Sequence, residues 1–237
     1  MSKLQLLLVP GMLCDDASWE SQIAALTDIC TPRVVALGDA DSIDAMADAA
    51  LGDAPDVFAL AGHSMGGRVA QAVYRREPQR VAKLALLATD FRAHANQAAR
   101  AAEQARRDEM IARVADVGLA EFARGWARQV VSRSRLNDAP LLEAVAKMMA
   151  RHTPEELAAQ TMAGLTRPDF ADLLPHISCP TLLVAGDEDT LRPVSVHREM
   201  ASLIPRNQLT VLPQCGHMVA MERPQLVAAA MRNWLLG

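Results

Sequence analysis

The residues best suited to chemistry are Gly62-His63-Ser64-Met65-Gly66, a G-x-S-x-G run lying between a short apolar stretch and a helical pattern. A strand that turns this abruptly into a helix holds its serine in a strained backbone conformation with the hydroxyl thrust outward. Gly62 and Gly66 suit such a turn, because a Cβ at either place would strike the adjoining strand or helix. The Met65 amide then lies at a helix N-terminus, where it can donate to a developing oxyanion. The implied chemistry is nucleophilic acyl transfer. It needs a base to take the serine proton and a third group to orient that base. His63, the adjacent strand residue, points to the opposite face and is assigned to packing.

Six short apolar runs read as the strands that would position these groups: 4–9, 33–37, 56–61, 83–88, 181–185 and 208–212. All but the second and last are nearly continuous rather than alternating, as strands buried on both faces are. Helical patterns at 18–28, 42–51, 65–77, 194–203 and 222–236 lie between or after them. Strand–helix alternation predicts an α/β protein with parallel strands and right-handed crossovers. From 91 to 177 no strand pattern occurs, and Thr153-Pro154-Glu155-Glu156 marks a helix start there with a capping box and proline at the first helical position. So long a segment is no loop. The expected organisation is a core of 1–90 and 178–237, with a helical layer of 91–177 inserted over one end of the sheet.

Open parallel sheets gather reactive groups beyond the carboxyl ends of their strands. After the sixth strand comes Pro213-Gln214-Cys215-Gly216-His217, and His217 is the candidate base. His94, His152, His176 and His197 fall in the helical insertion, at its exit or on a later helix, and read as packing or surface residues. After the fifth strand come Asp187, Glu188 and Asp189 in one loop, while Asp90 follows the fourth. Position favours the loop for the orienting acid but does not choose within it.

The 237 residues carry 24 Lys and Arg against 28 Asp and Glu, a net charge of −4, which gives no bulk attraction for nucleic acid or anionic membranes. Aromatics make up 3% of the chain, so stacking platforms for single strands are not expected. No apolar stretch is long enough to span a bilayer. The run from Leu4 to Leu13 after Lys3 faintly resembles a signal peptide, but Pro10-Gly11 interrupts it and no small-residue cleavage site follows. Cys14, Cys30, Cys179 and Cys215 lie far apart without metal-ligand spacing, consistent with reduced thiols and a cytoplasmic location.

With these residues in view, nearly the whole chain resembles the α/β-hydrolase fold superfamily, in particular its small capped serine hydrolases, least so in the helical insertion. In that resemblance the acid follows its strand as G-x-x-D-x-x-x-P, which falls on Gly186, Asp189 and Pro193 and implies Asp189 rather than Asp187. The base arrives as C-G-H, matched by Cys215-Gly216-His217, and the order Ser64, Asp189, His217 is that of the superfamily. The family's H-G-x turn is represented by Pro10-Gly11-Met12, which implies the Met12 amide as the second oxyanion donor beside Met65. The resemblance further implies six parallel strands ordered 2-1-3-4-5-6 and a helical cap inserted after strand 4; the chain departs from the family pattern in that its two N-terminal edge strands are expected to be absent or nearly so. Serine at 64, not aspartate, disfavours the epoxide hydrolase and haloalkane dehalogenase patterns.

The expected reaction is hydrolysis of a small carboxylic ester or lactone through an acyl-enzyme, without metal or organic cofactor. C–C bond hydrolysis of meta-cleavage type, peroxyacid formation, and a ligand receptor retaining a slow triad remain as alternatives. Substrate contacts are sought around Met12 and Cys14 and in the insertion, at Arg124, Arg128, Met148, Met149, Met162 and Arg167. Methionines would make an adaptable apolar wall and arginines would meet a carboxylate. For oligomeric state, a dimer through the cap or an edge strand is the base-rate expectation.

Overall fold

The computed structural model describes residues 3–237. Its first strand, β1 (Leu4–Val9), has the sequence LQLLLV, and the pleat sends alternate leucines to opposite faces. Leu7 and Val9 enter one apolar cluster with Phe58 and Leu60, whereas Leu6 and Leu8 enter a second with Ala59 and Ala61. A strand greasy on both faces belongs in the middle of a covered sheet. The remaining strands are β2 (Cys30–Val34), β3 (Phe58–His63), β4 (Val81–Leu87), β5 (Thr181–Gly186) and β6 (Asn207–Leu212). All neighbours pair in parallel, in the order β2-β1-β3-β4-β5-β6. This is the predicted fold class and strand order.

The helices are α1 (Glu20–Leu26), α2 (Ile43–Gly52), α3 (Met65–Arg76), α4 (Gln97–Val117), α5 (Leu119–Val130), α6 (Ala139–Ala150), α7 (Pro154–Leu165), α8 (Val194–Leu203), α9 (Val219–Glu222) and α10 (Pro224–Leu236). Helices α2, α3 and α8 supply Met46, Val69, Val73 and Met200 to one sheet face. Helices α1 and α10 supply Leu26, Val227, Met231 and Trp234 to the other. Ser42 caps α2 by accepting from the Ala45 amide at 3.1 Å.

Some element bounds differ from the sequence expectation. The second strand is Cys30–Val34 and not 33–37, because its position follows from the ladder with β1, where Leu4 faces Cys30 and Leu8 faces Val34. Beyond Val34 the Val35 amide still donates to the Leu8 carbonyl at 2.9 Å, and the side chains of Val35 and Leu37 are buried in the core. Pro32 is tolerated because β2 is an edge strand. The first helix is preceded by a 3-10 turn, Asp16–Trp19, capped by Asp15, and Trp19 is fully buried against the sheet.

Between β4 and β5 lie α4 to α7. The capping box holds: the Thr153 hydroxyl accepts from the Glu156 amide at 3.2 Å, and Glu156 accepts from the Thr153 amide at 2.9 Å. These helices build a third apolar cluster around Phe122, Val145, Met148 and Leu157, which Leu13, Cys14 and Met218 join from the loops that follow β1 and β6. Buried Gln160 of α7 adds a polar tie, accepting from the Leu13 amide at 2.8 Å and donating to the Gly38 carbonyl at 2.9 Å. The four cysteines are free, buried thiols. No helix among the described residues is long and apolar enough to cross a membrane.

Candidate active site

One residue, Ser64, separates the end of β3 from the start of α3, and its backbone adopts φ +53° and ψ −112°. Such a conformation costs a non-glycine residue on the order of 1–3 kcal/mol and persists only where neighbours overdetermine it. Here they do. The Ser64 amide donates to the Leu87 carbonyl at 2.9 Å, while its own carbonyl accepts from the Thr89 hydroxyl at 2.6 Å and the Gly67 amide at 3.1 Å. A Cβ on Gly62 would overlap the Gly66 carbonyl, and one on Gly66 would overlap the Val9 and Pro10 carbonyls, so the turn closes only with glycine at both places.

The loops after β5 and β6 meet this turn. The Ser64 hydroxyl donates to His217 Nε2 at 2.8 Å, and His217 Nδ1–H donates to Asp189 Oδ2 at 2.8 Å. An ionised carboxylate can only accept, so it fixes the proton on Nδ1 and leaves a lone pair on Nε2 facing the serine. Asp189 is held in turn by the Leu191 and Arg192 amides, which donate to Oδ1 at 2.8 and 2.9 Å. Burial works to raise its pKa, but the facing His217 and these donors outweigh it and hold the carboxyl below its ordinary value. Asp187 is exposed and accepts from the Cys215 amide, and Glu188 accepts from the Ser134 amide. Asp90 pairs with Arg68 and Arg92 instead of a histidine.

His63 does more than fill space. Its Nε2–H donates to the His217 carbonyl at 2.8 Å, and the two rings stand 5.2 Å apart. Burial first, then the facing His217, pushes its pKa down to about 4, so it remains a neutral donor. The His217 amide donates to the Val130 carbonyl at 2.9 Å, which ties this histidine to the end of α5. Glu222, absent from the sequence reading, braces the same loop. Its buried carboxylate accepts from the Gly216 and Met218 amides at 3.0 and 3.1 Å, on either side of His217, and from Ser132 at 2.9 Å. In Glu222→Gln an NH₂ group would face amides that can only donate. That variant is expected to lose about 1–3 kcal/mol of stability, roughly 2–12 °C in Tm for a chain of this size. Turnover should fall by a larger factor than KM changes; unaltered melting and kinetics would show that the brace carries no load.

A cavity of about 360 Å³ opens over Ser64 and His217. Met12 and Met65 line it, and neither backbone amide donates to a protein acceptor among the described residues. Cys14, Met149 and Arg167 line it as well. Burial and then the neighbouring Asp15 push the Cys14 thiol up to about 12, so it presents an inert wall. The other substrate candidates do not reach the cavity. The buried face of α5 is Leu119, Phe122, Ala123, Ala127 and Val130, which turns Arg124 and Arg128 to solvent. Arg124 pairs there with Glu121, and Arg128 donates to the Leu136 carbonyl. Met148 is fully buried among the inserted helices while its neighbour Met149 lines the cavity, and Met162 is exposed on the outer side of α7. Lining residues missed from the sequence include Arg68, Glu103, Arg106, Arg107, Trp126 and Arg192. Two had a signal: Arg68 lies one helical turn after Ser64, and Arg192 shares the loop of Asp189.

A covered parallel sheet with a strained serine at a strand-to-helix turn, and with histidine and aspartate beyond the last two strands, defines a class. Residues 16–224 match the alpha/beta hydrolase fold family, and the chain belongs to it. Among solved structures, a thermophilic esterase from Thermogutta terrifontis, determined with malate bound, is similar with a TM-score of 0.87 and 31% identity, covering 99% of this chain and 90% of that one. The putative carbamate hydrolase RutD of Caulobacter sp. (strain K31) is 29% identical over 181 residues, 74% of this chain and 64% of that protein, so the chain spans under two thirds of its length. The pimeloyl-[acyl-carrier protein] methyl ester esterase of Vibrio cholerae serotype O1 is 28% identical over 228 residues, 90% of this chain and 86% of that protein.

Proposed function

We propose that this protein hydrolyses a small carboxylic ester or lactone through an acyl-enzyme, with Ser64 as nucleophile, His217 as base and Asp189 as the orienting acid. The observation that carries this is the continuous hydrogen-bonded chain from Asp189 through His217 to the Ser64 hydroxyl, at the floor of a cavity. His217 takes the serine proton as Oγ attacks the carbonyl carbon, and the Met12 and Met65 amides receive the oxyanion. The imidazolium returns its proton to the departing alcohol. Water then attacks the acyl-enzyme by the same steps and regenerates the serine. Esterase in the names of two of the three relatives supports an ester as substrate. The cavity is at the small end of ligand pockets, which suits a short substrate. In this reading the segment 91–177 acts as a cap that shapes the cavity, with Met110, Trp126 and Met149 as its apolar wall.

The reading is tested with a fluorophosphonate probe followed by peptide mass spectrometry. One adduct is expected, on Ser64, and it should be lost in His217→Ala. Labelling at another serine, or labelling of Ser64 undiminished in His217→Ala, would remove the basis for the mechanism. A series of 4-nitrophenyl esters should show the highest kcat/KM for short acyl chains.

A further inference from the structure

The cavity that holds Ser64 and His217 is also lined by Arg68, Arg106, Arg107, Arg167 and Arg192, with Glu103 as its one acidic lining residue. The chain as a whole is acidic, so this concentration of cations is local to the site. Glu103 is already shared, accepting from Arg167 at 3.0 Å and Arg107 at 3.4 Å. Among the described residues neither Arg106 nor Arg192 has a carboxylate within 4.0 Å. Arg68 is only 3% exposed. One arm of its fork donates to the Arg92 carbonyl at 2.8 Å; the other, Nη2, has no hydrogen-bond partner, and the Asp90 carboxylate stands 3.6 Å from it. A buried guanidinium nitrogen without a hydrogen-bond partner is costly, and Arg68 is one of the residues that line the cavity.

The cluster also repels itself. Burial first, and then the positive Arg192, push the Arg68 pKa down to about 9; Arg107 is lowered by burial, with Arg192 and Arg167 opposing its charge too. A guanidinium is a cation in proteins, and an anion among these five would relieve the repulsion. Resting on the acyl-transfer reading above, we propose that the substrate is an acidic ester, one whose carboxylate is received by Arg68 and Arg192 while its ester carbonyl lies at Ser64. The guanidinium fork matches a carboxylate, and in the same wall the Glu103 carboxylate is already shared between one nitrogen each of Arg107 and Arg167. The rest of the lining, Met12, Met110, Trp126 and Met149, suits a short carbon chain between the two groups.

The test compares esters that differ only in this charge. One pair, 4-nitrophenyl hydrogen adipate and 4-nitrophenyl methyl adipate, puts the acid on the acyl side. The other, 4-carboxyphenyl butyrate and 4-(methoxycarbonyl)phenyl butyrate, puts it on the alcohol side. In one pair the acid should be preferred in kcat/KM by roughly 10–100-fold at low salt, the scale of one or two charged hydrogen bonds. Within the same enzyme that ratio should fall about tenfold in Arg192→Gln and in Arg68→Gln; Arg192 is partly exposed, so its variant keeps the test informative if the buried Arg68 change impairs folding. Turnover of the methyl esters as fast as or faster than the acids in both pairs would overturn the inference and leave the acyl-transfer reading standing. Calorimetry on Ser64→Ala separates the two failures, because it reads binding without chemistry. Monomethyl adipate should bind at least tenfold more tightly than dimethyl adipate, again less so with Arg192→Gln added. Equal affinities, or inorganic phosphate binding more tightly than monomethyl adipate, would refute a carboxylate subsite even if no ester were turned over.

Discussion

Ser64→Ala is expected to lower kcat for any accepted ester by on the order of 10⁶ while the fold is retained. The size of the effect follows from the serine, base and acid acting as one unit. In the proposed mechanism, removing Oγ removes the acyl-enzyme, and the surviving rate would come from binding and the two oxyanion amides acting on water. A second arm checks that the backbone geometry and the chemistry are separable. Ser64 sits at φ +53°, where a Cβ is strained and glycine is not. Both Ser64→Ala and Ser64→Gly should therefore be inactive, yet the glycine variant should melt higher than the alanine variant, by about 1 kcal/mol of stability. Retention of more than about one per cent of kcat in Ser64→Ala would show that another group attacks the carbonyl. Equal melting of the two variants would show that the turn is not under strain.

The parts of this protein that are legible in its sequence are those that topology controls. A near-continuous run such as Leu4–Val9 can only be a covered strand, and strand–helix alternation forces a parallel sheet whose carboxyl ends share one rim. Residues just after β3, β5 and β6 must meet there, which is why loops far apart in the chain could be searched for partners of Ser64. The structure brings His217 within hydrogen-bond distance of that serine and Asp189 within hydrogen-bond distance of His217. What stayed hidden depends on rotation about helix axes and on main-chain partners. Arg124 and Arg128 differ from Trp126 and Gln129 only in which side of α5 they occupy, and the helix period alone does not say which side is packed until its partners are known. Edge strand β2 took its position from the β1 ladder, a long-range effect that its own apolar residues do not encode. Glu222 was invisible for a different reason: its partners are backbone amides, which leave no pattern in side-chain types.

The choice among the three acids of the β5 loop leads to the second large effect. Asp189→Asn is expected to lower kcat about 10⁴-fold with little change in KM, whereas Asp187→Asn should stay within a few-fold of the parent enzyme. The difference lies in what the Asn amide must do in this setting. The Leu191 and Arg192 amides both donate to Asp189 Oδ1, so the carbonyl oxygen of an asparagine would take that place and its NH₂ would face His217 Nδ1. Two donors cannot share that contact. The imidazole must therefore carry its proton on Nε2, where it cannot accept one from Ser64. Asp187 makes one bond to the Cys215 amide at the protein surface and has no such leverage over the ring. A stability signature accompanies the kinetic one. Because the folded protein holds the Asp189 carboxyl below its ordinary pKa, its ionisation stabilises the fold above the unfolded value of about 3.9, and that contribution disappears as pH falls through the folded value. The melting difference between parent and Asp189→Asn should accordingly be largest near neutrality and shrink in acid. Full activity in Asp189→Asn, with loss in Asp187→Asn, would move the orienting role to the other carboxylate.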